Sequence, residues 1–368
     1  MPTLPTAPLA SRSARLRASV FAALLAAPLL VTGCDSGDDD ASGAEVRVMS
    51  QNLYLGGDLF TVTAETDAQR VPLRVAELYA TIEASDPAAR MAAIAAEIAD
   101  IEPDLVGLQE VATYAVQTPA DNLPGGAATA ATDVTYDLLD LLLDALAAEG
   151  ASYTVAARSD NADVEFPATA DGRTFFDVRY RDADVILARS GVETSGATAT
   201  VFQAILTVPV GGVEQAFVRS YQSVRATVDG ATFAFFNTHL EVGGPAGPVQ
   251  EAQGAELAAA VARVPSPLVL VGDLNSDAGG TGTATYGIVT RVLDDAAGAG
   301  AGTPTCCQDA DLRNDASDLS TRIDLVLTRG FQVEAFETVL DEPADRIGDL
   351  WPSDHAGVWA DLVLGDDA

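Results

Sequence analysis

Pro267-Leu268-Val269-Leu270-Val271-Gly272-Asp273-Leu274-Asn275 is the stretch on which the reading of this chain turns. Its apolar run is too short for a helix and reads as a short buried strand. The run ends abruptly in a carboxylate and a carboxamide. Polar groups just beyond strand ends are where open α/β sheets build their sites.

Working outward, the same arrangement recurs. Helical spacing over 249–264 leads into this strand. Residues 217–228 and 232–238, joined by Asp229-Gly230, predict a hairpin with a tight turn, and its second strand closes on Asn237-Thr238-His239. The last strands are predicted over 323–327, 331–336 and 357–364. Arg322-Ile323-Asp324 opens the first of these, and Ser353-Asp354-His355 precedes the last. Upstream, a strand over 46–52 ends at Asn52. A helix over 90–100, carrying Met91, Ile94 and Ile98, is stopped by Pro103, and a strand over 104–109 ends at Gln109-Glu110. An amphipathic helix is predicted over 134–148, with further strands near Tyr153, over 184–188 and over 201–208. No repeat and no linker interrupts the pattern after residue 45, so one α/β domain over 46–366 is expected.

Six strand ends thus carry carboxylates, carboxamides or imidazoles. The chain has only two histidines, and both His239 and His355 fall inside these motifs. Hard divalent cations take oxygen ligands, often one or two carboxylates with water and substrate phosphate. The sequence supplies carboxylates and amides, and no Cys/His set suited to zinc. The three cysteines cannot form a disulfide framework. Cys306 and Cys307, adjacent in a Gly-, Thr- and Asp-rich loop, read as a vicinal disulfide or two ordinary thiols.

The 368-residue chain is 48% hydrophobic and carries a formal net charge of −34, and all 20 of its basic residues are Arg. Such a charge repels nucleic-acid backbones and anionic membranes at long range. A GC-rich genome or life in concentrated salt produces the same composition, so charge disfavours nucleic acid as a partner without excluding it. At the N-terminus, Arg12, Arg15 and Arg17 precede a short apolar stretch over 18–30, the secretory pattern. Val31-Thr32-Gly33-Cys34 then resembles a bacterial lipobox, which implies a signal peptide over 1–33 and a lipid on Cys34. The acidic, small-residue run over 34–45 reads as a flexible tether. These features place the protein at the cell envelope, held to a membrane by its N-terminal lipid; the acidic run also resembles the stretch that sends some lipoproteins to the outer-membrane surface.

In Leu108-Gln109-Glu110-Val111, Asn237-Thr238-His239, Gly272-Asp273-Leu274-Asn275 and Ser353-Asp354-His355 the chain resembles the endonuclease/exonuclease/phosphatase superfamily, which includes DNase I, abasic-site endonucleases, inositol-polyphosphate phosphatases and bacterial sphingomyelinases. The motifs occur in order over nearly the whole chain after the tether. The resemblance implies a four-layer α/β/β/α sandwich of two mixed sheets, and a divalent-metal-dependent hydrolase of phosphomonoesters or phosphodiesters. It implies that Glu110 and Asn52 hold Mg²⁺ or Mn²⁺ with Asp354 near the metal. Asp273 would position or deprotonate the attacking water, and Asn275 and His239 would bind phosphoryl oxygens. Asp324 would fix the tautomer of His355, and the base would be either Asp273 or the Asp324–His355 pair. In two places the chain departs from the family pattern. The acidic partner that a DNase-like site gives to His239 is not evident, Asp177 and Asp182 being the candidates, and the segment 114–132 has no recognisable counterpart. That segment would rim the pocket or serve as filler. Arg181 is a candidate phosphate ligand or an exposed strand-edge residue. Small phosphoesters or phospholipid headgroups are the favoured substrates; a secreted nuclease and a non-catalytic surface binding protein are the alternatives.

Overall fold

The computed structural model describes residues 44–123, 128–210, 213–300 and 302–365. In chain order its elements are β1 (Glu45–Asn52), α1 (Phe60–Thr63), α2 (Val71–Ala84), α3 (Pro87–Ile101), β2 (Leu105–Gln109), β3 (Thr113–Gln117), β4 (Asp133–Asp137) and α4 (Leu138–Ala148). Then come β5 (Tyr153–Ala168), β6 (Phe176–Arg189), β7 (Glu193–Val201), β8 (Leu206–Val210), β9 (Val213–Phe217), β10 (Ser220–Val228), β11 (Ala231–His239) and α5 (Gly247–Val261). The chain ends with β12 (Leu268–Asp273), α6 (Thr285–Val289), β13 (Asp294–Asp295), β14 (Asp324–Arg329), β15 (Phe331–Val339) and β16 (Gly357–Leu364).

One mixed sheet has the order β15-β16-β1-β2-β6-β3-β4 with β5 on β6, and a second has the order β13-β14-β12-β11-β10-β7. Side-chain alternation assigns the layers. Val46, Val48 and Ile186 from the first sheet pack against Phe233, Phe235, Val269, Val271 and Val326 from the second, forming the core between them. The opposite faces turn outward. Met49, Val106 and Leu108 pack under α2, α3 and α4 through Val75, Ile94 and Leu142. Ala234, Phe236, Leu268 and Leu270 pack under α5 and α6 through Leu257, Val261 and Val289. The result is the expected four-layer α/β/β/α sandwich.

The sheets also interlock through buried polar groups, first among them Gln109 and Asn237. Gln109 Nε2 donates to Asn237 Oδ1 at 2.7 Å, and Asn237 Nδ2 reaches Leu108 O at 3.0 Å and Gln222 Oε1 at 3.1 Å. Gly107 makes the approach possible, because a Cβ there would lie 2.5 Å from Asn237 Oδ1. A methyl group at that position would force the sheets apart.

Several elements differ from their sequence-based boundaries. Residues 133–137 form β4 and the helix begins at Leu138, because the Asp137 side chain caps it by accepting from Leu139 N and Asp140 N. The strands near Tyr153 and over 184–188 are parts of one long hairpin, β5–β6. The strand predicted over 201–208 divides between β7 and β8. The strand predicted from 217 starts at Ser220, and Phe217 belongs to a separate two-stranded ribbon of β8 and β9. Within 114–132, residues up to Gln117 form β3, paired with both β4 and β6, so this part is sheet rather than a rim or filler. Glu45, expected in the tether, already pairs with Val363. The signal peptide, Cys34 and the rest of the tether lie outside the described residues. Cys306 and Cys307 form a vicinal disulfide.

Candidate active site

Topology brings the six strand ends to one edge. In the second sheet His239, Asp273 and Asp324 are register partners across β11, β12 and β14. In the first, Asn52 is the register partner of Gln109, and β16, entered through His355, runs antiparallel to β1. Besides the Gln109–Asn237 contact, two hydrogen bonds join these strand ends from sheet to sheet: Asn52 Nδ2 donates to Asp273 Oδ2 at 3.2 Å, and His355 Nδ1 lies 2.8 Å from Asp324 Oδ2.

Backbone geometry aims these groups. Gly272 adopts a φ of +145°, and a Cβ there would sit 2.1 Å from Thr238 O, so only glycine lets β12 pass β11 this closely. Glu110 and Asn275 both occupy the left-handed region, with φ of 54° and 51°. Asn tolerates this region and Glu does so at a cost, a pattern found at functional sites. Ser353 Oγ donates to Asn52 O at 2.8 Å and accepts from His355 N at 3.1 Å, fixing the last loop to the first strand.

Asp273 sits at the centre. Asn275 N donates to its Oδ1 at 2.8 Å, while Oδ2 faces His239 Nε2 at 3.5 Å and His355 Nε2 at 3.8 Å. Burial, then the charge on Asp324, pushes Asp273 up to about 7 against the pull of His355. Burial alone would discharge His355, but Asp324, Asp354 and Asp273 outweigh it and hold its pKa well above the ordinary imidazole value. The other histidine goes the opposite way. Burial, with Arg219 and His355 as neighbouring positive charges, pushes His239 well below the ordinary value.

The reason lies in a residue that the sequence reading missed. Arg219 Nη1 lies 2.9 Å from His239 Nδ1, and a guanidinium can only donate, so Nδ1 accepts and the proton of the neutral ring sits on Nε2. Among the described residues no carboxylate hydrogen-bonds to Nδ1. Asp184 Oδ1 comes within 4.0 Å of Nδ1, whereas Asp177 accepts the amides of Asp121 and Asn122 elsewhere. Asp182, the second candidate, shares Asn161 Nδ2 with Asp184 at 3.4 and 2.8 Å. Burial works against the charge on Arg219, but Glu241, Asp182 and Asp184 outweigh it and raise its pKa. Arg181 lines a mixed-charge hollow with Arg158, Arg179, Asp137, Asp160 and Asp163, not the cluster around Asp273.

Glu110, Asn52 and Asp354 fit a hard cation. Asp354 Oδ1 is buried and has no hydrogen-bond donor among the described residues. Burial pushes Asp354 up to about 7; His355 opposes this, and Glu110 adds to it. Two carboxylates that repel each other in a dry setting are the donor set a divalent cation satisfies. Glu110 Oε2 also accepts from Leu55 N, and Asn52 Oδ1 from Tyr54 N. Asp273, Asp324 and His355 also lie close together, but the last two are hydrogen-bonded to each other.

A four-layer sandwich with this constellation at the shared edge of its sheets defines a hydrolase acting on phosphate esters. The Endonuclease/Exonuclease/phosphatase family model matches residues 49–355, and the chain belongs to that family, whose members are phosphoesterase hydrolases. Solved structures share the fold at low identity. An endonuclease/exonuclease/phosphatase family protein from Bacteroides thetaiotaomicron is 16% identical, with a TM-score of 0.53 over 88% of this chain and 96% of that one. One from Leptotrichia buccalis is 15% identical, with a TM-score of 0.51 over 86% and 99%. The Bacteroides thetaiotaomicron mannosyl-6-phosphatase is 17% identical, with a TM-score of 0.50 over 87% and 100%. No curated protein matches the chain significantly.

Proposed function

We propose that the chain is a divalent-metal-dependent phosphoesterase that prefers small phosphoesters or phospholipid headgroups to long nucleic acid. One observation carries the reading: His239 Nε2 and Asn275 Nδ2 stand 3.1 Å apart beside Asp273, both as N–H donors. Two donors cannot satisfy each other, but an anionic phosphoryl oxygen satisfies both. Asn275 keeps its place by donating to Leu240 O at 3.0 Å.

In this reading Glu110, Asn52 and Asp354 would hold Mg²⁺ or Mn²⁺, and the ion when bound would supply neutralisation of charge on the phosphoryl group and its leaving oxygen. Asp273, held by Asn52 and the Asn275 amide, orients the attacking water and takes its proton. Asp324 fixes His355 with Nε2 toward Asp273, where the imidazolium steadies the developing charge. His239 and Asn275 donate to the equatorial oxygens. A solved structure of the same fold is named as a mannosyl-6-phosphatase, so the architecture houses a small phosphomonoester in at least one protein.

Activity on a phosphoester panel should vanish in EDTA and return with Mg²⁺ or Mn²⁺. Asp273→Ala should lower turnover at least about a hundredfold, and Glu110→Ala should raise the Mg²⁺ needed for half activity. An Asp273→Ala enzyme that kept most of its activity would sink the assignment. We also propose that the enzyme is tethered outside the cytoplasm through lipid on Cys34. Labelling with a clickable fatty acid should disappear in Cys34→Ala, and persistent labelling would refute the tether.

A further inference from the structure

Away from the Asp273 cluster, Asp121, Glu165 and Asp177 place one carboxylate oxygen each within 4.8 Å of the others. Asp177 lies on β6, Glu165 on its antiparallel neighbour β5, and Asp121 in the segment between β3 and β4. Asp177 is fully buried. Its Oδ2 accepts from Asp121 N at 2.7 Å and Asn122 N at 3.1 Å, while its Oδ1 has no donor among the described residues. A buried carboxylate oxygen without a partner keeps its full desolvation cost.

Further hydrogen bonds tie both ends of the segment to Asp121 and Glu165. Ala131 N donates to Glu165 Oε2 at 2.6 Å, Thr129 N lies 3.2 Å from both oxygens of Asp121, and Asn122 Nδ2 donates to Glu165 O at 2.7 Å. Neighbouring Arg179 makes no hydrogen bond to these three carboxylates, although its charge attracts Glu165 and its Nη1 donates to Ala131 O at 3.3 Å. Its guanidinium is engaged with both oxygens of Asp163 at 2.7 and 2.6 Å.

We propose that Asp121, Glu165 and Asp177 bind a hard divalent cation of calcium's size, which fastens the β3–β4 connection onto the β5–β6 hairpin. The donors are all carboxylate oxygens and come from three separate segments. Ca²⁺ accepts about six to eight oxygens in irregular geometry, whereas Mg²⁺ demands a near-octahedral cage and parts with water reluctantly. The ion takes no part in hydrolysis. It completes a segment for which the chemistry at Asp273 has no use.

The test is calorimetric titration of the full-length protein with Ca²⁺ at constant ionic strength, with Mg²⁺ held at the level that saturates activity. One Ca²⁺ per chain should bind to the parent and to Glu110→Ala. That site should be lost in Glu165→Gln and in Asp177→Asn, whose carboxamide oxygen can still accept the Asp121 and Asn122 amides. Ca²⁺ should also slow proteolytic cleavage within 118–132 by about tenfold or more in the parent and not in Glu165→Gln. The proposal fails if the parent binds no Ca²⁺. It fails equally if a folded Glu165→Gln binds as the parent does, or if binding is lost in Glu110→Ala alone, which would assign the ion to the candidate active site.

Discussion

Arg219 sets the chemistry of His239 more directly than any carboxylate does. Its 2.9 Å hydrogen bond to Nδ1 and its positive charge together keep the ring neutral with the proton on Nε2. Arg219→Gln removes the charge and leaves Asp182, Asp184 and Glu241 unbalanced beside His239, so the imidazole pKa should rise. In the proposed mechanism the neutral ring is the working form, so the acid limb of kcat/KM should move to higher pH, with kcat down roughly ten- to hundredfold. Arg219→Lys, which retains the charge, should keep the limb near its parental position. An unshifted limb in Arg219→Gln would show that the residue only packs. His239, Asp273 and His355 were legible in the sequence because each closes or opens an apolar run. Arg219 was not, since it sits in what reads as the interior of a strand. Its anionic partners Asp182 and Asp184 lie on a strand of the other sheet, and no local spacing records a contact between sheets.

At the scale of elements, β6 joins the catalytic edge to the rest of the first sheet and carries Asp182 and Asp184 inward. Burial raises Asp182 from an ordinary 3.8 to about 6, against the attraction of Arg219. A raised carboxyl pKa means that folding favours the protonated form. The resulting cost is absent below pH 4, grows as pH rises to about 6 and stays constant above that. Asp182→Asn should escape this cost, so between pH 4.5 and 7.5 its stability should gain on the parent by roughly 2 kcal/mol. Urea unfolding of both proteins at the two pH values measures the difference, and a constant gap would contradict the linkage. Buried strands of uniform apolar character were readable from the sequence. The β4–α4 boundary was not, because Asp137 ends the strand and caps the helix at once, and periodicity cannot divide a residue between two roles. The helix over Val71–Ala84 escaped notice because its apolar stripe is weak and interrupted by charged residues.

For the molecule as a whole, net charge bears on substrate choice. With −34 overall and many of its Arg side chains paired to carboxylates, as Arg179 is with Asp163 and Arg322 with Asp295, the surface offers little to a long polyanion. Small phosphoesters should be hydrolysed faster than duplex DNA at low salt and also at about 1 M salt, where the screening length falls to about 3 Å. If DNA were the best substrate at both salt concentrations with small esters untouched, a nuclease would replace the present reading. The hydrogen bonds that join Asn52 to Asp273 and His355 to Asp324 have one more consequence. Each pairs a residue of one sheet, or of the loop that feeds it, with a residue of the other, across 221 and 31 positions of sequence. Neither half of the chain holds all the residues of the proposed site, so splitting the domain between its two sheets should yield inert pieces. Catalysis then requires both sheets to be in place, and its onset in a refolding experiment should come no earlier than their closure.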